Sequence, residues 1–181
     1  MKEFDFIVIG GGSAGLTTSK RAASHGAKVA LIEGDRLGGT CVNRGCVPKK
    51  LLAYAASFGN ESALSTGYGF TPKQADFNWN TLITSVEAEL QRLNGYFAKS
   101  LDQAEVSLYR GFAKFVDAET IEVNGEILKS KKFCIAVGGT PQRPNFRCSD
   151  KALVSDDVFL LESLPKRIVV QGSGYIGVEM A

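Results

Sequence analysis

The residues best equipped for chemistry lie in one short stretch, GGTCVNRGCVPKK, from Gly38 to Lys50. Cys41 and Cys46 stand with four residues between them, Gly45 directly before the second, and Pro48, Lys49 and Lys50 just after it. That gap is wrong for a CxxC zinc pair. A regular helix would also hold positions i and i+5 too far apart for the Cα separation of about 5.5 Å that a disulfide prefers. Gly45 can bend the chain, and Pro48 with Leu51, Leu52 and Ala53 predicts a helix starting just behind Cys46. The partial positive charge of a helix start, with Lys49 and Lys50 one turn on, favours a thiolate, the form that exchanges disulfides. The pair therefore reads as a redox couple. Two plainer readings compete with it: cysteines as small buried hydrophobes, and a zinc site from Cys41, Cys46, Cys134 and Cys148. The second lacks paired spacing at 134 and 148, so no metal is expected. Cys134 falls in an apolar run and reads as core, whereas Cys148 falls in a polar loop and reads as a surface thiol.

Two glycine clusters flank this stretch. GGGSAG matches GxGxxG through Gly10, Gly12 and Gly15; it follows an apolar run, Phe4 to Ile9, and opens a predicted helix, Ala14 to Ser24, closed by Gly26. Glu33 ends a second predicted strand, Lys28 to Glu33, where a carboxylate can accept hydrogen bonds from an adenosine ribose. GSGYIG repeats the pattern through Gly172, Gly174 and Gly177, after a predicted buried strand, Arg167 to Val170, with its acidic partner beyond Ala181. Glycines admit a pyrophosphate close to the backbone and the helix start meets its charge; a tight turn with no ligand is the plain alternative for each cluster. Two dinucleotide sites with a redox pair between them suggest an electron relay. A flavin suits the middle place, accepting a hydride from a nicotinamide and passing two electrons to sulfur.

Further elements must position these groups. Ser57 to Asn78 reads as a glycine- and serine-rich loop. A long helix follows from Trp79 to Leu101, with Leu82, Val86, Leu90, Leu93, Phe97 and Leu101 at steps of three and four. Short strands are predicted at Val106–Tyr109, Ala113–Val116, Thr120–Val123 and Lys132–Val137, with a hairpin at Asn124-Gly125. The fold class is α/β: a Rossmann-like parallel sheet with helices and a small antiparallel meander, followed by the start of a second Rossmann-like unit. Domain limits are read at residues 1–150 for the first and 151–181 for the second. At 181 residues, 44% hydrophobic, 22% charged and net charge +2, composition points to neither a nucleic-acid nor a membrane partner. No signal or transit segment precedes the first strand, so a cytoplasmic location is the default.

GGTCVNRGCVPKK resembles the redox segment of the flavoprotein disulfide reductases, the class I pyridine nucleotide-disulfide oxidoreductases. The likeness extends through YGFTP, RLNG, GFAKFVD and GYIGVEMA and is greatest toward the N-terminal portion of the glutathione reductase branch. Lipoamide dehydrogenases and mercuric reductases share a similar segment and stay open as alternatives, as does an inactive flavin-binding fragment. The resemblance implies FAD held by Gly10, Gly12, Ser13, Ala14, Gly15, Glu33, Thr40, Cys41, Lys49 and Ala113, with Gly138 in a second loop nearby. It implies NADPH at Gly172, Ser173, Gly174, Ile176, Gly177 and Glu179. Cys41 would attack the substrate disulfide, and Cys46, against the flavin, would form the charge-transfer thiolate. Lys49 would lie near the flavin's reactive nitrogen and pair with Glu179, and Tyr175 would cover the nicotinamide pocket. Glutathione disulfide or a similar small disulfide would be the substrate, met by Ser13 and Lys20, and the complete protein would be a homodimer.

The chain departs from the family at two substrate positions: Lys20 stands where an arginine is usual, which keeps the charge without the bidentate fork, and Phe97 stands where a tyrosine is usual. The family's acid-base histidine comes from a later interface domain, whereas the one histidine here, His25, lies in the last turn before Gly26. With the second nucleotide unit ending in its first helix, the 181 residues alone are expected to be inactive.

Overall fold

The structure, a computed structural model, describes residues 1–71, 76–143 and 145–181. It divides into two units, one of residues 1–43 and 91–140 and the other of residues 44–90 and 141–181.

The first unit is built on a parallel sheet. Its strands are β2 (Phe6–Ile9), β3 (Val29–Glu33), β4 (Ser107–Arg110) and β8 (Phe133–Ile135), in the order β4-β3-β2-β8. The two central strands, β2 and β3, are apolar on both faces, as a sheet covered on both sides requires. Ile7, Ala30 and Ile32 bury toward Phe4, Ile121, Val123 and Leu128. Val8, Val29 and Leu31 bury toward Leu16, Leu37, Leu101 and Val106. Each valine, leucine or isoleucine so buried is worth about 1.5–3 kcal/mol relative to exposure. The first set comes largely from a second sheet, β1 (Lys2–Glu3), β7 (Glu126–Lys129), β6 (Thr120–Val123) and β5 (Lys114–Phe115), in which β5, β6 and β7 form the expected antiparallel meander. Asn124 and Gly125, both at positive φ (50° and 83°), make the β6–β7 turn, the condition a type I′ hairpin sets. The second set comes from α1 (Ser13–Ser24), α4 (Trp79–Gln103) and the connections at Leu37 and Val106, and α2 (Gly39–Arg44) follows Leu37 in the chain.

The second unit holds α3 (Cys46–Leu64), a 3-10 turn over Ser65–Tyr68, the first half of α4, α5 (Ser155–Val158) and α6 (Tyr175–Met180). Trp79 Nε1 donates to the Leu161 carbonyl at 2.9 Å, tying the start of α4 to the segment after α5. Among the described residues no helix is long and apolar enough to cross a membrane.

The structure corrects several expectations. Arg167 to Val170 is not a buried strand: no described strand pairs with it, and Val169 is 95% exposed. An apolar run becomes a strand only where a neighbour takes its backbone hydrogen bonds. The region from Ser57 is not a loop until Asn78, because α3 continues to Leu64. Ser57 Oγ donates back to the Tyr54 carbonyl, and the cost of about 1 kcal/mol for Gly59 is absorbed by the alanines around it. The rest of that expected loop includes residues 72–75, which lie outside the described residues. Within Phe4 to Ile9 only Phe6–Ile9 is strand; β1 lies ahead of the run, in the other sheet, and Phe4 is buried between the two strands.

Candidate functional site

The residues expected to hold a dinucleotide gather at the carboxyl ends of the parallel strands. β2 runs into Gly10, β3 ends at Glu33, β4 leads to Gly111 and Ala113, and β8 leads to Gly138. The strand order reverses at β2, with β3 and β4 on one side and β8 on the other. That is a topological switch point, where open α/β sheets bind ligands.

Gly10 has φ +107°, and a Cβ there would stand 2.3 Å from the Ala136 carbonyl oxygen. A Cβ on Gly15 would stand 1.7 Å from the Gly10 oxygen, so α1 packs onto the turn at backbone distance. Gly12 is different: a Cβ there would meet only the Gly39 Cα, at 3.6 Å. Gly12 is the N-cap of α1 and no side chain caps the helix start, which leaves its first N–H groups for a ligand. Ser13 and Ala14 open the helix and are exposed. An uncapped helix start behind glycines that a methyl group would block is what a pyrophosphate needs, so these residues fit FAD.

Glu33 is half-buried. Its carboxylate accepts from the Gly11 N–H at 2.6 Å and the Asp35 N–H at 2.7 Å, one bond to each oxygen, with lone pairs remaining for a ribose. The Gly11 bond was not foreseen from sequence; nor was the seating of Gly38 and Gly39 against Gly12, where Gly38 bridges to Gly12. Thr40 is exposed and Cys41 half-buried, both on α2, itself an unforeseen element. Lys20 projects from α1 with its Nζ 3.5 Å from Ser100 Oγ on α4. Phe97 packs into the core while Tyr96 is exposed, as their places on the helix predict.

The second unit carries the other residues. Gly45 breaks the chain between α2 and α3 (φ −156°, ψ −116°), and Cys46 is the first residue of α3, exposed, with no side chain capping the helix start. In the first turn of α3, Lys49 Nζ meets Glu179 Oε1 at 2.7 Å. The Glu179 hydrogen bond raises the lysine above its ordinary 10.5, desolvation opposes this, and the charges of Glu179 and Cys46 act in the same upward direction.

GSGYIG adopts the backbone of the first cluster. Gly172 has φ +114°, a Cβ on Gly177 would stand 2.5 Å from the Gly172 oxygen, and Gly174 is an uncapped N-cap with φ −70° and ψ 169°, against −77° and −171° at Gly12. The first helical bonds also correspond, Leu16 N to Gly12 O at 2.9 Å and Val178 N to Gly174 O at 3.1 Å. Ser173, Tyr175 and Ile176 are exposed around this turn. Cys134 packs in the core on β8 and Cys148 is exposed, as expected of each.

A family profile described as pyridine nucleotide-disulphide oxidoreductase matches residues 4–181. Glutathione reductase of a Nostoc species is 45% identical over 179 residues, covering 99% of this chain and 39% of the relative. Glutathione reductase of Burkholderia cepacia is 40% identical over 179 residues, with 99% and 40% covered. The chloroplastic/mitochondrial glutathione reductase of Pisum sativum is 40% identical over 190 residues, with 99% and 34% covered. The chain thus spans well under half the length of these curated relatives.

Proposed function

Because the chain belongs to the pyridine nucleotide-disulphide oxidoreductase family, we propose that it supplies the flavin-binding and dithiol part of an NADPH-dependent FAD enzyme that reduces glutathione disulfide. The observation that carries this reading is the place of Cys46, first residue of an uncapped helix directly after the Gly45 break, with Cys41 on the helix before it and an ion-paired Lys49 in its first turn. Residues 1–150 form the FAD domain and 151–181 the start of the NAD(P) domain in this reading. The repeated glycine geometry of Gly10–Gly15 and Gly172–Gly177 supports two nucleotide sites.

Gly10, Gly12, Ser13, Ala14, Gly15, Glu33, Thr40 and Ala113 hold the FAD, with Cys41 and Lys49 at its reactive end and Gly138 in the loop beside it. Bound FAD supplies two-electron transfer between a nicotinamide and sulfur. The chain's own part is thiol exchange. Cys41 as thiolate attacks one sulfur of the substrate disulfide, forming a mixed disulfide and releasing one thiol after protonation. Cys46 as thiolate then attacks the Cys41 sulfur, closing the Cys41–Cys46 disulfide and releasing the second thiol. Two electrons that originate in NADPH, with the protons, restore the dithiol. Lys49 holds positive charge beside Cys46, and Glu179 fixes the lysine's position. Tyr175 guards the nicotinamide side, with Ser173, Ile176 and Gly177 around the nucleotide. Ser13 and Lys20 meet the charged substrate. The names of the relatives support glutathione disulfide as that substrate.

The test is an NADPH-oxidation assay of the full-length enzyme that contains this chain, with glutathione disulfide as acceptor and oxidised lipoamide as the competing one. Turnover of about one per second or faster with glutathione disulfide, lost in Cys41→Ser and in Cys46→Ser, is expected. Faster turnover with lipoamide, or with NADH, would replace this reading by the lipoamide dehydrogenase type.

A further inference from the structure

The RLNG stretch of α4 takes no part in the function proposed above, yet its Asn94 joins three pieces of the first unit. Asn94 occupies the same helical stripe as Phe97 and Leu101, where an apolar residue is the rule. Its Nδ2 donates to the Leu37 carbonyl at 2.7 Å and to Asn43 Oδ1 at 3.0 Å, while its Oδ1 accepts from Arg36 Nε at 2.9 Å. The opposite amide orientation would set its NH₂ against the arginine N–H, so the donors fix this one. Asn43, 8% exposed on α2, donates in turn to the carbonyls of Leu37 at 3.1 Å and Gly39 at 3.0 Å. The two amides thus bind α4, the 36–39 turn and α2 to one another.

α2 has six residues, too few to be stable by its own hydrogen bonds. Asn43 lies two positions after Cys41, about 200° around the helix, so the buried amide anchors one face while the thiol projects from another. The same bonds seat Gly39 on the Gly12 turn, where a Cβ on Gly39 would stand 2.7 Å from the Gly12 Cα. We propose that Asn94 and Asn43 are positioning residues that hold Cys41 and the phosphate-binding turn in one fixed arrangement. The inference rests on the reading of Cys41 as the attacking thiol.

The experiment compares the reduced wild-type chain with Asn94→Asp and Asn43→Asp, measuring the reaction of each cysteine with 2,2′-dithiodipyridine by mass spectrometry. Exposed Cys148 is the internal reference and core Cys134 reports opening of the sheet. Aspartate keeps the shape but loses the amide donors, leaving carboxylate oxygen against carbonyl oxygen. The Cys41-to-Cys148 ratio should change by about fivefold or more, with Cys134 unchanged, as loss of one or two buried hydrogen bonds implies. For Asn94→Asp, lowering the pH to about 4 or below, where a protonated carboxyl regains a donor, should return the ratio toward the wild-type value. An unchanged ratio overturns the proposal, and so does a ratio that moves in step with Cys134, since the whole sheet is then loosening. Failure of the wild-type chain to form a Cys41–Cys46 disulfide would count against the proposed function and still leave this ratio to decide.

Discussion

Replacing Gly15 by alanine tests the packing of α1 on the first glycine turn. The new Cβ would fall 1.7 Å from the Gly10 carbonyl oxygen and 2.9 Å from its carbon. An ordinary C···O approach is about 3.3 Å, so helix and turn must part by about 1.6 Å. The obstacle is backbone and has no rotamer to escape into. Gly10 is itself fixed by its N–H bond to the Ile32 carbonyl at 2.8 Å and by the Ala136 oxygen behind it. Overpacking of this kind costs about 1–3 kcal/mol, and a rigid partner places it near about 3 kcal/mol. At about 2–4 °C per kcal/mol for a chain of 150–250 residues, the midpoint should fall by about 6–12 °C. Gly12→Ala is the matched control, because its Cβ would meet one atom at 3.6 Å. A surface change of that kind stays within about 0.5 kcal/mol, hence within about 2 °C. Thermal melts followed by far-ultraviolet circular dichroism on the three chains decide it. Equal melting of Gly15→Ala and wild type, or an equal fall in both variants, would refute the account of what Gly15 is for.

The remaining predictions concern the thiols and Lys49. Air-oxidised chain, alkylated without reductant and digested, should yield a peptide linked through Cys41 and Cys46 while Cys134 and Cys148 carry the alkyl group; recovery of both members of the pair alkylated counts against the redox couple. Glu179→Gln removes the carboxylate that raises Lys49, so an NMR titration should show the lysine moving back down toward 10.5. Its sign for stability follows from a raised folded value. The pair's contribution is fully present below the unfolded pKa and is lost as pH rises through the folded one, so wild type and variant should converge only in strong alkali. The effect should be small and salt-sensitive for an ion pair this exposed, and an unmoved lysine would show that Glu179 does not govern it.

Sequence revealed what local pattern alone can carry. The span of α4 was legible because its apolar steps recur over about five turns, and the first fingerprint because a strand, three glycines and a helix stand in unbroken order. Arg167–Val170 misled because apolar composition records a wish for burial, whereas strand formation needs partners from elsewhere. Ser57–Leu64 misled because Gly and Ser are loop formers only where nothing continues the helix through them. α2 was hidden because six residues have no period to read. The Asn94–Asn43 bonds had one visible trace, a polar residue on the apolar stripe of α4, but nothing in the sequence said which carbonyls it would meet. The kinship of the two glycine clusters was visible as letters, and its content, matching dihedrals and the same close approach of helix to turn, needed coordinates.

The first unit is drawn from two stretches of chain with residues 44–90 between them, and this sets a timetable for its birth. β2 pairs with β3 early, but β4, which covers the far side of β3, and β8, which covers the far side of β2, belong to residues 107–110 and 133–135. At synthesis rates of about 5–20 residues per second, the nascent β2–β3 pair waits about 4–15 s with both edges open and about 5–20 s before β8 closes the second, with Ile7 and Ile32 uncovered. Chaperone binding to ribosome-held chains should therefore peak before β8 emerges. The same arrangement makes the intervening stretch tolerant of length, since doubling a flexible excursion costs only about 0.6 kcal/mol in closure entropy. Growth there is cheap for the finished molecule and expensive only for the time the unfinished sheet must wait.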